Sequence, residues 1–242
     1  MTFVHDVRAR PVCLTPTLEL GGFTPLSTTD WPGKLAAVVF VQGCPWRCTY
    51  CHNPGLQVRG AGSGPPWADV MQTLRRRVGL LDGVVFSGGE PTLDPALSQA
   101  VQQVRALGLQ VGLHTAGIYP ERLAALLPDL DWVGFDLKTD PGRYDGLTGR
   151  RQGGPAVRKA LRILLASGVP CEIRTTYHPA MVPAPALQSM GRLLKDQGAT
   201  SWVLQRWRAH DGAASDLAAA WHWPAPDLLQ ALRADMPALS LR

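Results

Sequence analysis

Three observations predict an α/β fold, a partial barrel of six parallel β-strands joined by helices. Apolar residues recur at helical spacing in three segments, and each segment ends at a glycine and continues into a strand-like run. Runs such as Val38–Val41 and Val84–Phe86 are apolar throughout, which is typical of parallel strands buried on both faces. A closed eight-stranded barrel takes about 250 residues, whereas residues 1–35 of this 242-residue chain precede the first long strand, so six units fit better than eight.

The order of the elements follows from these patterns. Strands are predicted at residues 36–42, 83–87, 109–115, 131–137, 170–176 and 201–205. Helical spacing is shown by four apolar sets: Leu97, Ala100, Val101, Val104 and Leu107; Val157, Ala160, Leu161, Leu164 and Leu165; Leu187, Met190, Leu193 and Leu194; and Leu228, Leu229 and Leu232. Asp94-Pro95 predicts the start of the first of these helices.

The domain organisation is predicted from the same order. Leu18–Trp31 is expected to form a hairpin or a cap before the first long strand. We expect one domain over residues 1–242, with an N-terminal cap (1–35), a βα core (36–205) and a C-terminal helical extension (206–242).

Composition and charge narrow the classes of function. The chain has no apolar run near the roughly 20 residues that span a bilayer, and Met1–Arg10 lacks the apolar core of a signal peptide. We therefore expect a cytoplasmic protein with reduced thiols that binds neither membrane nor nucleic acid. The net charge of +5 suits an anionic partner, although Arg75–Arg77 is better interpreted as the solvated face of a helix.

The most informative motif is a set of three cysteines in one short loop. Cys44, Cys48 and Cys51 follow the first core strand with the spacing C-x3-C-x2-C. Three thiolates on one tight loop can bind three irons of a cubane iron–sulfur cluster. The fourth iron then has no protein ligand, so a small molecule can bind there and be reduced.

Three other interpretations of these cysteines are weaker. Cys48–His52 matches the C-x-x-C-H pattern of haem attachment, but that chemistry requires export to an oxidising compartment. A zinc site with His52 as fourth ligand is disfavoured because structural zinc usually takes two separated ligand pairs. A disulfide framework fits poorly with five cysteines in a long chain that has no sign of secretion.

Polar residues follow the other predicted strands at the point where each strand ends. The carboxyl ends of parallel strands meet at one rim, where the chemistry of βα folds gathers. These residues therefore belong with the cysteine loop: Ser87, Gly88, Gly89 and Glu90 after strand two, His114 and Thr115 after strand three, Asp136 and Lys138 after strand four, Arg174 after strand five, and Gln205 after strand six.

In these motifs the chain resembles the radical S-adenosylmethionine (SAM) superfamily, whose joint signature is the C-x3-C-x2-C loop followed by Gly-Gly-Glu-Pro. A narrower resemblance, to the activating enzymes of glycyl-radical proteins, rests on the segments Thr29–Lys34, Gln42–Cys44, Cys51–Pro54, Asp136–Lys138, Tyr144–Gly149 and Arg174–Thr176. Among these it is most like the anaerobic ribonucleoside-triphosphate reductase activating protein. Ala116 departs from the family's Thr-Asn-Gly pattern and puts the polar contacts of that loop in doubt. The segment from His52 to Trp67 contains no cysteine, which excludes a second cluster there.

The resemblance implies a [4Fe–4S] cluster bound by Cys44, Cys48 and Cys51, and SAM as second cofactor. It implies that Ser87 and Glu90 hold the SAM ammonium, with Gly88 and Gly89 allowing close approach of the backbone. The remaining roles follow in the same way: Lys138 and Arg174 for the carboxylate, Asp136 to orient Lys138 or bind a monovalent cation, His114 and Thr115 for the ribose, and Tyr50 to shield the cluster and flank the adenine. The alternative roles are a plain tight turn for Gly88 and Gly89, surface ion pairs for Lys138, Arg174 and Asp136, and ordinary packing for Tyr50.

The implied function is reductive cleavage of SAM and formation of a glycyl radical on a partner, expected to be anaerobic ribonucleoside-triphosphate reductase. The implied electron donor is reduced flavodoxin or ferredoxin. Open alternatives are a pyruvate formate-lyase activase, a small-molecule enzyme similar to 7-carboxy-7-deazaguanine synthase, and a non-catalytic iron–sulfur or zinc module. Cys13 and Cys171 receive no role.

Overall fold

The computed structural model describes residues 17–60, 64–209 and 219–242 and contains one eight-stranded sheet. The strands lie in chain order, β1 to β8; β1 is antiparallel to β2, and each later strand is parallel to the one before it. Their bounds are β1 Leu20–Ser27, β2 Ala36–Val41, β3 Gly83–Gly88, β4 Gln110–Thr115, β5 Trp132–Asp136, β6 Cys171–Tyr177, β7 Trp202–Arg206 and β8 Leu239–Leu241.

Helices connect the parallel strands. Their bounds are α1 Trp67–Arg75, α2 Leu97–Arg105, α3 Pro120–Leu126, α4 Tyr144–Thr148, α5 Gly153–Ser167, α6 Ala184–Asp196 and α7 Pro226–Asp235. Short 3-10 turns occur at Pro54–Leu56, Pro91–Leu93 and Leu127–Asp129. None of the helices in the described part of the chain is long and apolar enough to cross a membrane.

The predicted α/β fold is confirmed, and all six predicted core strands are present as β2 to β7. Within the described residues the sheet is an open, partial barrel with β1 and β8 as its edges. Two edge features differ from expectation in detail. The predicted N-terminal hairpin consists of β1 folding back on β2, and the C-terminal stretch contains a short parallel strand, β8, besides its helix. A three-residue strand such as β8 is too short for its periodicity to be recognised.

The glycines that end the predicted helices have the conformation that stops a helix. Gly108, Gly168 and Gly198 have φ values of +79°, +74° and +75°, in the left-handed region that only glycine enters freely. The start of α2 differs slightly, because Asp94 lies before the N-cap residue Ala96. Its carboxylate accepts a hydrogen bond from the backbone N–H of Ala96 at 2.9 Å.

The two faces of the sheet have different cores. The main core lies between the sheet and the helices and includes Val84 and Phe86 of β3. Val85 points to the other, concave face, where it joins Trp31, Ala36 and Trp132. Since side chains alternate along a strand, the concave face also receives alternate residues at the carboxyl ends of the strands, and these form the site described below.

Trp31 fills the lower part of the concave face. Its ring stacks on Trp132 with centroids 5.6 Å apart and an 18° angle between the planes. Two strand glycines make room for it, because a Cβ at Gly83 would lie 2.9 Å from the Trp31 ring and one at Gly112 would lie 3.0 Å from it. The Trp31 ring therefore closes the floor of the concave face beneath the polar residues.

Candidate active site

A cleft opens at the carboxyl ends of β2 to β6, where the sequence placed the functional residues. The predicted site residues that line it are Cys44, Cys48, Tyr50, Cys51, Ser87, Gly88, Gly89, Glu90, His114, Thr115, Asp136 and Lys138. Arg174 and Gln205 are the exceptions: neither lines the cleft, and Arg174 lies behind Asp136 and His114. With Thr176 of β6, which also lines the cleft, residues from five strand ends meet in one cavity.

The cysteine loop follows β2 and is held by backbone hydrogen bonds to the segment after it. The N–H of Gly43 donates to Leu56 O at 2.8 Å, and the N–H of Cys44 donates to Gln57 O at 3.0 Å. The buried amide of Gln42 donates to the carbonyl oxygen of Gly55 at 3.0 Å. These bonds fold residues 43–57 back on themselves, so that the thiols point into the cleft.

Helix α4 supports the other side of the cysteine loop. The N–H of Arg47 donates to the carbonyl oxygen of Thr148 at 2.8 Å. Trp46 packs against Tyr144, with ring centroids 5.6 Å apart, and both rings are buried. The Tyr-Asp-Gly-Leu-Thr-Gly segment singled out in the sequence therefore acts as a structural support for the cysteines.

The three cysteine thiols are half-buried and line the cleft. Burial raises the pKa of Cys44 to about 12 and also raises the pKa of Cys48, although the positive charge of Lys138 opposes both shifts. Thiolates at this place therefore need additional positive charge, which the irons of a bound cluster supply. No group of three or more His, Cys, Asp or Glu side chains in the described ranges is arranged to hold a single metal ion. In a cubane cluster each thiolate binds a different iron, so the three sulfurs need not converge on one point.

The turn after β3 lies directly against the cysteine loop. A Cβ at Gly88 would lie 2.3 Å from Val41 O, and a Cβ at Gly89 would lie 2.3 Å from Gly43 O. The φ of Gly88 is +122°, outside the range that other residues favour. The glycines are thus required by the approach of two segments of this chain, whereas the sequence had assigned the close approach to SAM.

Glu90 joins the turn after β3 to the end of β4. Its buried carboxylate accepts hydrogen bonds from the hydroxyls of Thr92 at 2.5 Å and Thr115 at 2.7 Å, both on Oε1. Its Oε2 accepts from the backbone N–H of Ala116 at 2.9 Å. Burial raises the pKa of Glu90, and the hydrogen bonds from Thr92, Thr115 and Ala116 oppose this shift. The loop with the atypical Ala116 therefore makes its polar contact through the backbone.

His114 lies at the centre of the concave face with both ring nitrogens occupied. Its Nε2 is 2.8 Å from the carbonyl oxygen of Asp30, and its Nδ1 is 3.2 Å from the Ser87 hydroxyl. Arg174 Nη1 lies 3.0 Å from the same Nε2. Burial, together with the charge of Arg174, lowers the pKa of His114 to about 3. The ring is therefore neutral, and its Nε2 lies between one acceptor, the Asp30 carbonyl oxygen, and one donor, the Arg174 guanidinium.

Asp136 of β5 and Arg174 of β6 form an ion pair in which the arginine is buried and the aspartate is partly exposed. The Nε and Nη2 of Arg174 donate to Asp136 Oδ1 at 3.0 and 2.8 Å. Burial by itself would raise the pKa of Asp136, but the charges of Arg174 and Lys138 outweigh it and the pKa is lowered. Arg174 is 8% exposed, and its guanidinium is directed at Asp136 and His114 instead of the cleft.

Lys138 and Tyr50 face each other across the cleft. The Lys138 Nζ lies 5.6 Å from the centroid of the Tyr50 ring, and the backbone N–H of Lys138 is fixed by the Tyr144 hydroxyl at 2.9 Å. Burial would lower the pKa of Lys138, but Tyr50, Cys48 and Asp136 around it raise it well above the usual value. The buried Tyr50 hydroxyl has no hydrogen-bond partner among the described residues, so it can donate to a molecule bound in the cleft.

Several residues line the cleft although the sequence assigned them no part in binding the cluster or SAM. His52, Asn53, Gln57, Ala116 and Thr176 also line the cleft. Gly134 lies beneath it, where a Cβ would be 2.8 Å from the Arg174 guanidinium. A glycine inside an apolar strand indicates such a close approach, so the sequence could have revealed Gly134. His52, Asn53, Ala116 and Thr176 lie at positions already noted for the family resemblance, whereas no pattern set Gln57 apart.

Comparison with known proteins identifies the family to which this chain belongs. Residues 38–187 match the family model described as the radical SAM superfamily. The chain belongs to the radical SAM superfamily. It is accordingly a radical SAM enzyme, and the cofactors of that family are a [4Fe–4S] cluster and SAM. The three cysteines in the cleft are the residue type that binds such a cluster.

Two relatives of this radical SAM enzyme have informative names. A protein of Methanocaldococcus jannaschii named as a glycyl-radical enzyme activating enzyme is 29% identical over 187 residues, which cover 73% of this chain and 75% of that protein. Pyruvate formate-lyase-activating enzyme of Clostridium pasteurianum is 33% identical over 135 residues, covering 53% of this chain and 56% of that enzyme. This chain thus spans less than two thirds of the clostridial relative.

Solved structures show the same fold at low sequence identity. SuiB of Streptococcus suis bound to S-adenosylmethionine has a TM-score of 0.62 at 15% identity, over 83% of this chain and 48% of SuiB. QueE from Escherichia coli has a TM-score of 0.56 at 15% identity, over 93% of this chain and 94% of QueE. At such identities the likeness establishes the radical SAM fold alone.

Proposed function

We propose that this radical SAM enzyme activates a glycyl-radical enzyme, with anaerobic ribonucleoside-triphosphate reductase as its target. The observation that carries activation of a glycyl-radical enzyme is the similarity over most of both chains to the Methanocaldococcus protein named for that activity. The choice of the reductase as target rests on the sequence resemblance alone. The segments Thr29–Lys34 and Cys51–Pro54, on which the resemblance to activating enzymes rests, lie against the concave face and at the cleft. We further propose a cytoplasmic location, with reduced flavodoxin or ferredoxin as electron donor.

The residues of the cleft have distinct tasks in this proposal. Cys44, Cys48 and Cys51 bind the cluster, which when bound supplies the electron that splits SAM into methionine and a 5′-deoxyadenosyl radical. The Lys138 ammonium binds the SAM carboxylate by a charge-assisted hydrogen bond. The Tyr50 hydroxyl, which has no hydrogen-bond partner among the described residues, would donate to SAM, and its ring would shield the cluster.

The carboxylates and the histidine hold this arrangement in place. Within the described ranges Glu90 Oε2 has one donor, the Ala116 N–H, so it retains a lone pair for the SAM ammonium. Asp136 lies beside Lys138, and its charge keeps the ammonium in position. Arg174 acts as a positioning residue for Asp136 and His114, and Ser87 and Thr115 complete the polar wall of the cleft.

The experiment begins with anaerobic reconstitution of the protein with iron and sulfide. Reduced protein with SAM should release 5′-deoxyadenosine. After addition of an anaerobic ribonucleoside-triphosphate reductase, electron paramagnetic resonance should detect a glycyl radical, and a reductase whose radical glycine is replaced by alanine should give none. Cleavage of SAM without a radical on the reductase would contradict the target.

A second candidate target is a pyruvate formate-lyase-like enzyme. The observation in its favour is the 33% identity to the clostridial pyruvate formate-lyase-activating enzyme. The same incubation with pyruvate formate-lyase in place of the reductase distinguishes the two, because only the correct partner acquires the radical.

A further inference from the structure

Two arginines cover the outer side of the cysteine loop, and a third exposed arginine follows the second directly in the chain. Arg47 donates from Nη1 to the carbonyl oxygens of Cys44 at 2.6 Å and Trp46 at 2.8 Å. Arg150, in the segment after α4, donates from Nε to Pro45 O at 2.7 Å. Arg151 follows directly and makes no side-chain hydrogen bond or ion pair within the described residues. All three are exposed, and we call them the arginine face.

The charge of the arginine face is not neutralised. Residues 43–60 of the cysteine loop contain no Asp or Glu. Arg59, the other arginine of that segment, is paired with Glu19 and Asp94, whereas no ion pair in the described part of the chain involves the arginine face. One carboxylate lies close to it: Asp145 accepts from the backbone N–H groups of Gln152 and Gly153, directly after Arg151. The face therefore keeps a net positive charge that solvent and a partner can reach.

The location of this patch matters because a radical SAM enzyme needs an electron from outside for each cleavage of SAM. The cysteine thiols open into the cleft, whereas the backbone of Cys44, Pro45 and Trp46 is covered on the outside by the Arg47 and Arg150 side chains. A carrier that sits on the arginine face is separated from the cluster ligands by this single layer of loop.

We propose that the arginine face is the docking surface for an acidic one-electron carrier protein. In the step that docking serves, the reduced carrier loses one electron and the enzyme's cluster gains it, and no covalent bond forms or breaks. Clustered positive charge steers an anionic partner into contact and raises its association rate by about 10- to 1,000-fold at low ionic strength. The proposal rests on the family's need for an electron and not on the identity of the glycyl-radical target, so the two can fail separately.

The test uses reconstituted protein and reduced flavodoxin as the acidic carrier. Arg151→Glu removes no hydrogen bond and reverses one charge of the face. At low ionic strength, it should slow cluster reduction by flavodoxin, followed by stopped-flow absorbance, about 10-fold. The matched control is Arg75→Glu, an exposed arginine at the end of α1, on the strand-start side of the sheet; it changes the net charge equally and should leave the rate unchanged.

Two further measurements separate docking from damage to the loop. Reduced methyl viologen is a small cation, so it should reduce Arg151→Glu at least as fast as the wild type, and iron content should be unchanged. Added salt should slow the wild-type reaction with flavodoxin and bring it toward the rate of the variant, because ions screen the attraction. Arg150→Lys, which keeps the charge, should stay close to the wild type.

Three outcomes would overturn the proposal. Equal rates with flavodoxin for wild type and Arg151→Glu would remove the face from docking, as would an equal loss in Arg75→Glu. A variant that is reduced normally by flavodoxin but forms less glycyl radical with methyl viologen as reductant would assign the face to the glycyl-radical enzyme instead.

Discussion

The backbone N–H of Glu90 donates to the carbonyl oxygen of Gly43 at 2.9 Å, which joins the turn after β3 to the start of the cysteine loop. A second bond, from Gly89 N–H to Val41 O at 3.0 Å, lies beside it. The two sequence signatures of the site, Gly-Gly-Glu and the cysteine motif, are therefore one physical unit. A change in either is expected to displace the other.

Gly89→Ala tests this coupling. The added methyl would lie 2.3 Å from Gly43 O and 2.8 Å from Leu56 O, so the cysteine loop must move away. We expect a loss of about 2–4 kcal/mol in the free energy of unfolding, as for other severe backbone clashes, together with reduced iron content. The matched control is Gly55→Ala, since a Cβ there meets no atom within 4 Å. A Gly89→Ala protein with wild-type thermal stability would contradict the coupling.

Cys48→Ala tests the cluster ligands. Loss of one of three thiolates should prevent stable binding of a [4Fe–4S] cluster, because each thiolate holds a different iron. Iron and sulfide analysis after anaerobic reconstitution measures the effect. Cys171→Ala serves as control, because Cys171 lies in β6 and does not line the cleft. A Cys48→Ala protein with a full cluster that still cleaves SAM would refute the assignment.

Lys138→Ala tests the proposed contact with the SAM carboxylate. Loss of a charge-assisted hydrogen bond of about 1.5–3 kcal/mol should weaken SAM binding by about 10- to 150-fold, without loss of iron. Anaerobic titration calorimetry measures the affinity. Lys159→Ala, which removes a surface lysine paired with Glu121, should bind SAM like the wild type. Unchanged affinity in Lys138→Ala would place the carboxylate elsewhere.

His114→Gln tests the buried neutral imidazole through pH. The pKa of His114 is about 3 in the folded chain and about 6.5 when unfolded, so below pH ~6.5 the unfolded state binds the proton and the folded state does not. His114 therefore costs stability progressively as pH falls from about 6.5 toward 3, by at most about 1.4 kcal/mol per pH unit.

Urea denaturation of wild type and His114→Gln at about pH 7, 6 and 5 measures this effect. The stability of the variant should fall less steeply than that of the wild type on acidification. His222→Gln, at an exposed histidine near the C-terminus, is the matched control for the substitution itself. Parallel curves for His114→Gln and wild type would mean that His114 is protonated as easily in the folded chain as in the unfolded chain.

The sequence predicted the core strands and most of the cleft because their signals are local. Buried parallel strands are continuous apolar runs, helices end at glycines such as Gly168, and site residues follow strand ends. It did not predict α4, whose five residues are held by contacts with the cysteine loop such as Arg47 N–H to Thr148 O. Short elements of this kind depend on tertiary contacts more than on intrinsic propensity.

By itself the sequence determined the fold class, the family and most of the residues that meet at the rim, since apolar periodicity and motif spacing are properties of the chain alone. Only the tertiary structure decided what each residue touches. It placed Arg174 behind Asp136 and His114 instead of in the cleft, and it showed that Gly89 makes room for Gly43 O. The position of a residue along its strand fixes which face of the sheet its side chain is on and how near it lies to the rim. Its contacts come from other strands, and their register and separation are set only when the sheet packs.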